Sequence, residues 1–313
     1  MARIAQEEIK ELNPLGYKPV GKLLKSLAIP AIIANLVNAL YNVVDQIFIG
    51  QGIGYLGNAA TNIAFPITTM CLAIGLTLGI GGASNFNLEL GKGYPEKSKH
   101  TAGTAASTLI IIGIILCITV RIFLEPLMIG FGATNKILEY SMEYTGITSY
   151  GIPFLLFSIG VNPLVRADGN AKYSMIAIVI GAILNTILDP LFMFVYNWGI
   201  AGAAWATVIS QIVSATLLLI YFPRFKSVKF SLNDFIPQLH YLKRIISLGF
   251  ASFIYQFSNM IVLVTTNNLL KIYGKNSIYG SDIPIAVFGI VMKINVIFIA
   301  IVLGLVQGAQ PIF

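Results

Sequence analysis

The sequence predicts an all-α integral membrane protein, a polytopic bundle of about eight transmembrane helices. Three observations carry that prediction. The 313 residues are 56% hydrophobic and only 11% charged, where a soluble domain carries roughly 25% charged residues. The mean hydropathy is +0.80, more apolar surface than a soluble fold can hide and the opposite of a disordered composition. The apolar residues also form continuous runs of helix length. Residues 101–120, 144–165 and 245–270 contain no Asp, Glu, Lys or Arg. Strands of a membrane β-barrel would instead be about ten residues long and alternate apolar with polar.

A membrane helix needs about 20 mostly apolar residues. Eight such stretches are expected, at 23–49, 59–88, 101–124, 142–163, 173–196, 200–222, 244–270 and 284–313. The first 22 residues are polar and lack an apolar core, so no cleaved signal peptide is expected. Lys and Arg set the orientation. With the N-terminus inside, fifteen lie in inner segments (Arg3, Lys10, Lys18 and Lys22 through to Arg244) and four outside, at Arg121, Lys136, Lys271 and Lys275. This predicts a multi-pass protein of the cell (inner) membrane with a cytoplasmic N-terminus. The net charge of +7 and pI near 9.3 are then a topology signal. The basic residues form no single patch, and no nucleic-acid partner is expected. Cys71 and Cys117 lie in apolar runs and read as inert thiols.

The chain divides into residues 1–222, with six spans, a cytoplasmic amphipathic linker at 223–243, and 244–313, with two spans. The linker carries Phe225, Phe230, Phe235 and Ile236 among charges. A weak internal repeat supports the division. KSLAIPAIIANLVNALYN at 25–42 aligns with ISLGFASFIYQFSNMIVL at 246–263, putting Ser26 on Ser247, Leu27 on Leu248 and Asn38 on Asn259. A second unit like the first would need about six helices, and two fit before Phe313, so the chain reads as part of a longer product of roughly twelve helices.

Polar groups inside a membrane are costly, and each is a functional candidate weighed against helix packing. In the first helix, Asn35, Asn38, Asn42 and Asp45 are spaced three, four and three apart, which gathers them within about 80° of one face. Pro30 precedes that stripe and removes a backbone hydrogen bond, predicting a bend or hinge. Asn185 and Asp189 share a face of the fifth helix, with Pro190 directly after, and the sixth adds Thr207 beside Ser210 and Gln211. Two carboxyl groups in a dry setting can load and unload a proton. Together with Asn and Thr oxygens they also offer the hard ligands that a small cation such as Na+ prefers. The residues support either ion.

Lys293, well inside the eighth span, faces either a polar cavity or the interface by snorkelling. Asn38, Asn42, Gln256, Asn259 and Lys293 are candidate cavity-lining residues, with Ser252 on the Gln256 stripe. Glu89, beside Gly91 and Gly93, reads as a solvated charge at a helix end. An enzyme is not expected: there is no Walker-type phosphate loop, no Asp-rich prenyl-transfer motif, and His100 and His240 lie in unrelated segments. No cofactor is expected beyond a coupling H+ or Na+.

Four stretches carry a family resemblance: IPAIIANLVNALYNVVDQIFIG in the first helix, VRADGNAKYSM after the fourth, NTILDPLFMF in the fifth, and VFGIVMKI with QGAQPIF in the eighth. In this order and spacing the chain resembles the multidrug and toxic compound extrusion (MATE) family, in particular its DinF/MepA-type branch. The resemblance implies two six-helix lobes around a central cavity, here the N-terminal lobe and the first two helices of the other. It implies a secondary active antiporter that exports cationic or amphiphilic drugs in exchange for H+ or Na+, and a monomer is expected. It places a cation site at Asp45, Asn185, Asp189 and Thr207, and a bending proline at Pro30. A lipid-linked saccharide flippase of the same superfamily is the nearest alternative. Such a protein would want a cavity rich in Arg and Lys, whereas the first six helices here offer acidic interior groups. A non-transporting fragment is the other alternative.

Overall fold

The computed structural model describes residues 19–309. Arg3, Lys10 and Lys18 of the charge count, and the final residues of QGAQPIF, lie outside the described residues. Among those described, eight helical segments are long and apolar enough to cross a membrane, which makes this a multi-pass membrane protein.

The helices are α1 (Val20–Gly52), α2 (Tyr55–Gly91), α3 (Pro95–Ile122), α4 (Leu124–Gly130), α5 (Asn135–Thr148), α6 (Ile152–Ala167), α7 (Ala171–Pro190), α8 (Gly199–Tyr221), α9 (Leu239–Gly274) and α10 (Asp282–Ala309). At 33 and 37 residues, α1 and α2 run for about 50–55 Å, well beyond a hydrocarbon core of about 30 Å. Their ends therefore reach past the membrane or the helices tilt.

The expected fourth span is not one helix. It is α5 and α6 joined by a 3₁₀ turn at Ser149–Gly151. Pro153 has no N–H to continue the ladder, and its ring disfavours helical geometry before it. The apolar run is continuous across this break, and hydropathy alone reads through it. A second irregularity follows Asp189: α7 ends at Pro190 and the chain winds into a π-turn at Leu191–Val195. Proline again removes a donor, and the wider turn accommodates the loss.

The core of the first six spans is lined by Leu78, Phe86, Leu109, Leu156, Leu164 and Leu218. Glu89, near the end of α2, differs from its expected state. It is buried, not solvated, and the exposed Lys92 at the helix end pairs with it at 3.2 Å.

The linker is packed on protein. Phe222, Phe225, Phe230 and Phe235 form one aromatic cluster, with ring centroids 5.1–5.6 Å apart for Phe225–Phe230 and Phe230–Phe235, and Ile236 is left exposed. Two buried carboxylates fix its path. Asp168 accepts from the Tyr221 hydroxyl at 2.8 Å and from the backbone N–H groups of Lys226 and Ser227 at 2.9 Å. Asp234 accepts from Ser231 N–H at 2.7 Å and lies 3.1 Å from His100 Nδ1 and 3.8 Å from Lys99 Nζ. Asp168 comes from the RADGN motif, where Gly169 takes φ +87°, a conformation that favours glycine, and Asn170 caps α7 through Tyr173 N–H.

The last two helices lie along the first two, α9 on α2 and α10 on α1. Towards the end that carries the start of α1, both contacts are made by glycine. Gly81 meets the Ile245 carbonyl and Gly249 backbone, Gly304 meets Ile32, and Gly308 meets Ala28. Small residues let membrane helices approach backbone to backbone. Towards the opposite end Gly289 meets Asn62, and α9 and α10 make polar bonds to α2 and to residues 130–134 between α4 and α5. Asn62 Nδ2 donates to Asn267 Oδ1 at 2.9 Å, Thr134 to Asp282 at 2.7 Å, Lys271 to the Ala133 carbonyl at 2.6 Å and Asn268 to the Gly130 carbonyl at 2.9 Å.

Candidate functional site

Between α1, α2, α5, α8 and α10 lies a small cavity lined by Tyr41, Asn42, Asp45, Thr61, Tyr144, Thr207, Gln211 and Lys293 among others. The polar stripe of α1 divides along its length. Asn35 leaves the cavity and donates to Gln307 of α10 at 3.1 Å. Asn42 bonds the Asn38 carbonyl at 2.6 Å, and Asp45 is buried at 5% exposure.

Asp189 of α7 is fully buried, and it and Asp45 lie near enough to influence each other electrostatically. Asn185 Nδ2 donates to Asp189 Oδ1 at 3.2 Å and lies 3.4 Å from Thr207 Oγ1. The i to i+4 spacing in α7 makes the first contact local, and α8 packs on α7 to supply the second. Asp45 Oδ1, Asp189 Oδ2 and Asn185 Oδ1 are buried without a hydrogen-bond partner. Three orphaned oxygens on two helices are costly. A proton or a small oxygen-liganded cation would satisfy them and relieve repulsion between two buried carboxylates.

Lys293 reaches this region from α10. Its ammonium donates to Gln46 Oε1 and lies 3.5 Å from Thr61 Oγ1. Gln46 in turn donates to Asn58 Oδ1, and Thr61 lies 3.2 Å from Gln46 Oε1. The cavity position read as one alternative for Lys293 is the one observed. Asn38, Gln256 and Asn259 are not part of the cavity lining, and Asn38 and Asn259 are exposed. Pro30 sits within α1, which runs unbroken from Val20 to Gly52; the Ser26 carbonyl four residues earlier loses its usual helical donor there.

Sequence reasoning passes over Gln46, Thr61, Tyr41 and Tyr144. Gln46 has a signal, since it lies one turn after Asn42 and next to Asp45. The tyrosines have none, because their hydropathy does not separate a cavity position from a lipid-facing one.

The family model described as MatE matches residues 30–191, which includes Asp45, Asn185 and Asp189. The chain belongs to the MatE family. Among curated relatives of this MatE chain, the multidrug export protein MepA of Staphylococcus haemolyticus is 24% identical over 93% of the chain, and that of Staphylococcus saprophyticus 26% over 94%. A solved structure, that of the MATE multidrug transporter DinF-BH, superposes with a TM-score of 0.86 at 34% identity over 93% of the chain. The MatE chain spans 63–64% of the length of these three proteins.

Proposed function

We propose that this MatE protein works as a secondary active antiporter in the cell membrane, with its N-terminus in the cytoplasm. It exports cationic or amphiphilic small molecules in exchange for H+ or Na+, acting as a monomer without a resident cofactor. Asp45 and Asp189 are the coupling carboxyls, Asn185 and Thr207 supply further oxygens, and Pro30 is the point where α1 bends on loading. The observation that carries this reading is the pairing of two buried carboxyl groups from separate spans, with unpartnered oxygens beside a polar cavity. The multidrug export named for the MepA relatives and the multidrug transport named for DinF-BH support the choice of cargo, and the excess of Lys and Arg in alternate connections supports the orientation.

The test is gradient-driven dye uptake into inverted vesicles holding the complete gene product. Collapse of the proton gradient or of a sodium gradient identifies the ion. Asp45→Asn and Asp189→Asn are each expected to lower ion-driven uptake by roughly 100-fold, about 2.7 kcal/mol, while the protein still elutes as a folded species. Uptake that survives both substitutions would overturn the coupling assignment.

A further inference from the structure

The segment that joins α8 to α9 packs its phenylalanines on one another and leaves three other apolar side chains outside, Leu232 at 89% exposure, Ile236 and Leu239. Five cations on the same stretch are exposed as well, Arg224, Lys226, Lys229, Lys243 and Arg244. Its one acid, Asp234, is buried, and the exposed Glu96 of α3 is already paired with Lys99 at 2.6 Å. The free surface of this segment is therefore cationic and apolar at once. Water suits the first property and not the second.

The depth of the segment follows from α3. Its uncharged run at 101–120 measures about 30 Å as helix, the thickness of a hydrocarbon core, so residue 101 marks one boundary. The linker backbone meets α3 just inside that mark. Gly103 packs directly on the Asp234 carbonyl, and Gln238 N–H donates to Thr104 Oγ1 at 3.4 Å. A segment standing out in the water could not make these contacts. Both of its ends also leave from spans, α8 at Tyr221 and α9 at Leu239. Residues 232–239 thus run where headgroups give way to acyl chains, and an apolar side chain that leaves the protein there has lipid within reach.

We propose that this face is a seat for anionic phospholipid. The three apolar tips enter the headgroup–acyl boundary of the adjoining leaflet, and the five cations meet its phosphates. Both signals are needed, because a small apolar insertion binds weakly by itself and cations alone are screened within a Debye length. A zwitterionic leaflet answers the first signal and an anionic leaflet answers both. The proposal goes beyond the antiport reading and does not depend on which ion drives transport.

The test uses the complete gene product in nanodiscs, with its native cysteines replaced by serine and a nitrobenzoxadiazole probe attached at Leu232→Cys. The discs hold phosphatidylcholine alone or with about 30% phosphatidylglycerol, each with and without bromine on the acyl chains. Brominated chains are expected to quench the probe about twofold or more in the anionic discs and distinctly less in the neutral ones. Raising the ionic strength from about 0.1 M to about 1 M shortens the screening length from about 10 Å to about 3 Å and should bring the anionic discs to the neutral value. The combined change Arg224→Gln, Lys226→Gln and Lys229→Gln should do the same at low salt.

A probe that brominated chains do not quench in either disc overturns the proposal. So does quenching that is equal in the two discs, which would leave an apolar contact blind to headgroup charge. Blue-shifted emission without quenching would mean that protein, such as a second copy of the chain, covers the tip, and it too overturns the proposal. If the Leu232 variant is not recovered folded, the probe goes on Ile236→Cys and the same pattern is required of it.

Discussion

Replacement of Asp168 by alanine is expected to destabilise the protein by about 3–5 kcal/mol, the scale for breaking a buried charged hydrogen-bond set by removing one partner. The carboxylate is 1% exposed, and its acceptor sites serve the Tyr221 hydroxyl and two consecutive backbone N–H groups, those of Lys226 and Ser227. Without it, two backbone donors and a phenol are left under the aromatic cluster of the linker, where Phe225 is itself buried. Thermal unfolding in detergent measures the loss, and limited proteolysis between Pro223 and Gln238 should quicken in parallel. Asp168→Asn keeps the shape and part of the acceptor capacity, and should fall between the alanine variant and the parent. An alanine variant as stable as the parent would mean that the linker is held by its phenylalanines alone.

The second large effect is expected at Gly81. A Cβ there would overlap the carbonyl of Ile245 and come within 2.9 Å of Gly249 N. Neither neighbour is the movable end of a side chain, so α9 must shift along or away from α2. Gly81→Ala is expected to cost about 3 kcal/mol through overpacking, seen as a lower midpoint of thermal unfolding. Gly91, near the end of the same helix, has nothing within 4 Å of the corresponding position. Gly91→Ala should be neutral or stabilising by up to about 1 kcal/mol, because alanine is the better helix former. Equal behaviour of the two variants would remove the close crossing as a stabilising contact.

Much of the architecture was legible because it depends on one dominant quantity. Burying a run of apolar residues in lipid demands helix, so the eight spans follow from length and hydropathy. What hydropathy does not encode is the nature of an apolar partner. Phe225, Phe230 and Phe235 carry the right amphipathic signal, yet their partners are other aromatic rings of the protein. The same blindness merges α5 with α6, where the Gly151–Pro153 signal is present but the apolar run does not pause.

At the candidate site, helical spacing places Asn185 and Asp189 on one face, and they meet at 3.2 Å. Spacing along one helix says nothing about a neighbour, so the approach of Asp45 to Asp189 and of Lys293 to Gln46 needed three dimensions. Gln46 is lost for a narrower reason. It lies about 40° from Asn42 around the helix and widens the polar stripe only to about 100°, but a stripe read as ending at its carboxylate stops one residue short of it.

The glycine contacts to backbone lie at one end of α9 and α10 and their polar bonds, to Asn62 of α2 and to residues 130–134 between α4 and α5, at the other, and the consequence is an uneven resistance to separation. Pulling α9 and α10 away at the glycine end breaks van der Waals contact and the Asn35–Gln307 bond, a neutral hydrogen bond with a net value near about 1 kcal/mol. At the other end the same movement strands Asn62, Thr134, Lys271 and Asn268 together, one of them a full charge. The assembly is stitched along one edge and merely nested along the other, so thermal agitation alone favours widening from the nested edge.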